Sequence, residues 1–228
     1  MRKLMSLEWR KHRLGGLFKG VLIANLCILG LMVGLLLSAE DGDFSTWTEA
    51  MQGLFLFCKA TFVVFASVVI SRLVIEEYRS QTISLLFMYP IPRRTMMLAK
   101  LMIVFIFTFV NILLSELVLG AALAAIIHGT HHFAEPLTGE LVQNLLAQAG
   151  LNAVYASGIA MIPLFFGMRR KSVPTTIVSS VLIISLTSSG FGSLRLENFA
   201  SISIALCLAG LFIAWLAIRR VETDDVVG

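Results

Sequence analysis

The residues able to do chemistry are few, and most of them sit in apolar surroundings. Lys59 and Glu116 are isolated charges inside long hydrophobic runs. Charges at membrane depth are costly and face a partner or a wet cavity. Their similar depth on sequence-adjacent segments fits a structural ion pair, and a role in substrate passage or proton coupling fits it too. Asn144, Gln148, Asn152 and Tyr155 recur at helical spacing and share one face. Such a stripe either joins helices through hydrogen bonds in lipid or lines a path for amphipathic cargo. His128, His131 and His132, with Glu135 nearby, read as solvated loop residues that could take a transition metal adventitiously. No HExxH motif accompanies them. Ser157 has no histidine at its depth to activate it. Cys27, Cys58 and Cys207 lie in apolar runs without CxxC spacing and behave as small hydrophobes. No glycine-rich phosphate loop of the GxxxxGK[ST] form occurs. The chain therefore carries no expected catalytic residue, metal or cofactor, and any ATP-driven motor belongs to another chain.

The elements that position these residues follow from composition. Of 228 residues, 57% are hydrophobic and 14% charged, with a mean hydropathy of +0.88. Soluble domains carry about 25% charged residues. The apolar runs far exceed the length of barrel strands, so the expected fold class is an all-α membrane protein. Six spans are expected at about 17–38, 51–75, 97–127, 141–167, 173–190 and 198–218. They form a single domain over 1–228. The net charge of +4 does not point to nucleic acid, because the basic residues gather at the ends of spans. With both termini cytoplasmic, 16 of the 18 Lys and Arg fall inside, leaving only Lys59 and Arg195. The segments left outside are then short: an acidic one, Glu40 to Glu49, and the His-containing one at 128–140.

Residues 1–16 precede the first span and carry Trp9, Arg10 and Arg13, a cationic composition suited to the headgroup region. The apolar run at 21–37 is longer than the core of a usual secretory signal. The fifth span is rich in Ser and Thr and precedes Gly190 and Gly192, a composition that favours close helix packing.

Between the second and third spans lies RLVIEEYRSQTISLLFMYPIPRRTMMLAK, residues 72–100. Its middle reads as a short helix over 76–89, stopped by Tyr89-Pro90-Ile91-Pro92. Tyr78, Thr82, Leu85, Leu86 and Tyr89 fall on one side, with Glu76, Glu77, Ser80, Gln81 and Ser84 opposite. Pinned between two spans, this helix can present one face to another protein.

The pattern Glu76-Glu77-Tyr78-Arg79, Thr82, Leu85-Leu86, Pro90, Pro92-Arg93-Arg94 and Lys100 resembles the intracellular coupling segment of ABC-2 type transporter permeases. The resemblance extends over nearly the whole chain. It implies an interfacial elbow helix at 1–16, a re-entrant turn at 186–198 and a fifth span facing its twin across a dimer. It also implies two copies of an ABC ATPase subunit, which carry ATP and Mg, and a second permease subunit forming a homodimer. The helix 76–89 would be the coupling helix, with Tyr78, Leu85, Leu86 and Tyr89 packing on the ATPase and Thr82 and Pro90 belonging to the same coupling segment. Glu76, Glu77, Arg79 and Arg93 would be its charged contacts. Small permeases without outer domains resemble exporters of antimicrobial or cytolytic peptides, and this chain looks most like those of modulin-type toxin exporters. The expected setting is a bacterial cell membrane, with lipid and amphipathic peptide as the other partners. Export of a drug, an ion or a lipid-linked glycan uses the same architecture. An intramembrane enzyme or a non-transporting scaffold is the alternative from another class.

Overall fold

Long apolar runs without a polar face leave the backbone one way to satisfy its hydrogen bonds in lipid, which is to coil into helices. The computed structural model describes residues 15–38, 46–79, 93–130, 138–188 and 200–220, and all regular structure among them is helical. In chain order these are α1 (Gly15–Ser38), α2 (Trp47–Ile70), a π-helical turn (Ser71–Ile75), α3 (Glu76–Arg79) and α4 (Arg93–Thr130). They are followed by α5 (Gly139–Ile159), α6 (Ile162–Arg170), α7 (Val173–Ser188) and α8 (Ala200–Arg220).

Among the described residues, five helical stretches are long and apolar enough to cross a membrane. They are Gly16–Ser38, Trp47–Arg79, Arg94–Gly129, Gly139–Arg170 and Ile202–Arg219, and α7 is a shorter apolar helix of 16 residues. The spans expected at 51–75 and 97–127 are longer than anticipated. The stretch Trp47–Arg79 has 33 residues and α4 has 38, or about 50 and 57 Å at 1.5 Å per residue. Both exceed a hydrocarbon core of about 30 Å. The helix expected to begin afresh at Glu76 is instead a direct continuation of α2 through the π-helical turn.

The span expected at 141–167 runs from 139 to 170 with a break at Ala160–Met161. Pro163 has no N–H to give to Ile159, and the chain passes the gap on tighter bonds. The Met161 amide reaches the Gly158 carbonyl at 3.0 Å, and Leu164 reaches Met161 at 3.2 Å. A second break separates α6 from α7 at Lys171, whose φ of 47° lies in the left-handed region.

The described helices divide into two compact units. One combines residues 63–109 with those from 155 onward. Its buried core includes Val69, Ile70, Leu73, Ile75, Val104, Ala156, Met161 and Leu164. Here α5 and α8 cross closely: a Cβ on Gly210 would lie 2.0 Å from the Gly158 carbonyl oxygen, and one on Gly158 would lie 2.3 Å from Cys207 Sγ. Polar atoms link α2 and α7, where Ser180 Oγ donates to Ser67 Oγ at 3.1 Å. The other unit combines residues 15–62 and 110–154. Met32, Leu54, Cys58, Phe62, Ile112 and Leu123 are among its fully buried side chains. Large apolar residues point outward in both units, among them Leu22 and Leu26 on α1 and Leu208, Phe212 and Trp215 on α8. That is the surface a membrane protein presents.

The expected elbow with Trp9, Arg10 and Arg13 lies outside the described residues, as does most of the 186–198 turn.

Candidate functional site

Among the described residues, two buried places hold charged side chains. The first is built where α2 ends and α4 begins. A π-helical turn takes one more residue than an α-turn and re-aims the carbonyls of the widened turn. At Ser71–Ile75 the Glu76 amide donates back to the Ser71 carbonyl in that wider pattern, and Ser71 Oγ donates to the Ser67 carbonyl at 2.8 Å. The Leu73 carbonyl accepts a hydrogen bond from Lys100 Nζ at 2.9 Å. The same ammonium is ion-paired to the Glu77 carboxylate on α3. Both partners are buried, with 4% of Lys100 and 5% of Glu77 exposed. A charge pair so enclosed holds only with close geometry and further hydrogen bonding, and the Leu73 carbonyl supplies the second acceptor.

Glu77, expected as a charged contact for a partner, is thus turned inward in this subunit. Glu76 and Arg79 are exposed and Tyr78 is half-buried. Thr82, Leu85, Leu86, Tyr89 and Pro90 lie outside the described residues. Arg93 opens α4.

The second place lies within the other unit. Glu116 on α4 is 2% exposed, and Asn152 on α5 donates its amide to Glu116 Oε1. Glu116 Oε2 is buried with no hydrogen-bond partner among the described residues. Lys59 on α2 is also buried and acts on Glu116 electrostatically. Lys59, Glu116 and Asn152 thus belong to one polar cluster. The rest of the α5 stripe does not join it: Asn144 and Gln148 are exposed on the subunit surface and Tyr155 is half-buried. His128 is exposed near the end of α4, and His131, His132 and Glu135 lie outside the described residues. Among the described residues, no three His, Cys, Asp or Glu side chains are placed to hold a metal.

Sequence reasoning did not find the Glu77–Lys100 pair or the Glu116–Asn152 bond. The usable signal for the first was Lys100 itself, a lone cation inside the apolar run of the third span. For the second, the stripe supplied Asn152, but nothing in a single sequence sets the register of α5 against α4.

Residues 4–186 match the sequence model of the family described as "ABC-2 family transporter protein". The chain is also 38% identical over 226 residues to the "Uncharacterized protein YcbO" of Bacillus subtilis (strain 168), covering 97% of this chain and 99% of that protein. No solved structure matches.

Proposed function

Because the chain belongs to the ABC-2 transporter family, we propose that it is the permease subunit of an ATP-driven exporter in a bacterial cell membrane. The observation that carries this reading is the family match over residues 4–186, which takes in α1 to α6 and nearly all of α7. The family is a membrane transporter component and not itself an enzyme, so the enzyme and scaffold alternatives have no observation behind them. Hydrolysis of ATP, with Mg, is assigned to two copies of a separate ABC ATPase chain.

The segment 76–93, apart from the inward-turned Glu77, is the proposed contact with that ATPase. Its support is local. It begins at exposed Glu76 and Arg79, and it is bracketed by helices longer than the hydrocarbon core. Both termini are placed on the cytoplasmic side with this segment, in keeping with the Lys/Arg distribution. The permease pairs with a second copy of itself. Asn144 and Gln148 support a path along α5, because amides facing hydrocarbon without partners are costly. A water-filled path between two subunits would accommodate them. Neither comparison names a cargo. Amphipathic peptides fit a transporter whose polar path opens along a membrane-facing helix, and they are the cargo class proposed.

The test is co-purification of the chain with the ABC ATPase from the same genome, wild type against Leu85→Asp/Leu86→Asp. A complex in the wild type that is lost in the variant supports the assignment. A complex that survives the variant moves the contact elsewhere, and none in the wild type removes the permease reading.

A further inference from the structure

Lys100 stands eight residues into α4, an interior position where a bare ammonium would be expensive. It bonds two groups of one neighbouring stretch: the Leu73 carbonyl inside the π-helical turn and the Glu77 carboxylate one turn further on. Residues 73 and 77 close one end of the segment 80–92, and α4 opens at its other end. One side chain therefore ties together the two helix ends that bracket the segment. The tie is also selective for conformation. A π-helical turn can revert to α-helix by shifting its register one residue, which would rotate Leu73 and Glu77 away from Lys100 together. Gly167 on α6 packs against the Ile75 side chain of the same turn, where an added Cβ would meet Ile75 Cδ1 at 2.9 Å.

We propose that Lys100 is the positioning residue of the coupling segment. It holds the π-helical turn in its widened form and clamps α3 to α4, so that a push on the segment moves α4 with it. Without the clamp the same push is absorbed by the turn. The proposal rests on the permease reading above for the origin of the push.

Replacing one partner strands a buried charge, whereas removing both together is often tolerated. E77M/K100M is therefore the informative variant. Wild type, E77M/K100M and K100R are assembled with the ATPase in lipid nanodiscs. Hydrogen exchange of amides 94–109 is then compared with and without trapping by ATP and vanadate. The wild type changes exchange across 94–109 on trapping. E77M/K100M still binds the ATPase and hydrolyses ATP, but this change falls at least tenfold. K100R, which keeps the charge and the donors, retains at least half of it. If E77M/K100M does not accumulate, E77Q is read in its place, with a partial loss expected. A full trapping response in the double variant (or in E77Q) overturns the clamp, since a purely structural pair would leave it intact.

The two readings fail separately. If the wild type forms no complex, the permease assignment falls. The clamp is then judged on amides 71–79 of the free subunit, which must exchange at least tenfold faster in E77M/K100M. Unchanged exchange there overturns it.

Discussion

Replacing Gly210 by Ala asks how much the α5–α8 crossing contributes to the fold. A Cβ at this position would lie 2.0 Å from the Gly158 carbonyl oxygen and 2.9 Å from its carbon. Carbon-to-oxygen contacts settle near about 3.3 Å even when they are favourable. The helices must therefore separate by more than about 1 Å, and both obstructing atoms are backbone, so no rotamer change relieves the clash. Opening a packed contact by about 1 Å already forfeits up to about half of its dispersion energy, and overpacking of this kind costs about 1–3 kcal/mol. Gly210→Ala should therefore destabilise the subunit by about 2 kcal/mol. Gly34→Ala is the matched control, because a Cβ there meets nothing within 4 Å. Alanine's better helix propensity should make it neutral or stabilising by up to about 1 kcal/mol. Both are measured by steric trapping or reversible unfolding of the subunit in mixed micelles. If the two variants fall within about 0.5 kcal/mol of each other, the crossing is not close-packed as described.

Three further outcomes follow from the described contacts. A double-mutant cycle between Glu116→Ala and Asn152→Ala should give a coupling energy of about 1 kcal/mol, within the range for hydrogen bonds between membrane helices. Additive single effects would mean that the amide does not serve the carboxylate. Lys171→Gly should raise stability by up to about 1 kcal/mol by relieving the left-handed φ of 47°, whereas Lys171→Val should lower it. Thermal unfolding in detergent reads both changes. A cysteine at Gln148, in a background free of the three native cysteines, should react with a membrane-impermeant maleimide in the assembled transporter. Absence of labelling from either side would take Gln148 out of the path.

The helical membrane fold was open to reading from residue type alone, because runs such as Val21–Leu37 leave no soluble alternative. Helix limits were harder. Hydrophobicity reports where lipid ends, and α2 and α4 continue past that point on residues such as Glu76–Arg79 and Arg93–Arg94. The break at Ala160–Met161 has a local cause in Pro163. The π-helical turn has none, since SRLVI would continue an α-helix equally well. What makes the turn recognisable is Lys100, 27 residues away, bonding the Leu73 carbonyl. The intramembrane cluster divides the same way. Lys59 and Glu116 stand out as charges in apolar runs, but the choice of Asn152 over Asn144 or Gln148 as the amide facing Glu116 depends on how α5 is rotated against α4. In a helix apolar all round, periodicity does not encode that rotation.

The central claim is that the end of the molecule carrying Glu76 and Arg79 docks an ATPase. A photo-crosslinking residue placed at Arg79 in the assembled membrane tests it, with the same residue at exposed Leu117 as the control. Mass spectrometry of the adducts should show an ABC ATPase chain joined at position 79 and none at 117. Adducts at 79 containing only lipid or this chain itself would contradict the account.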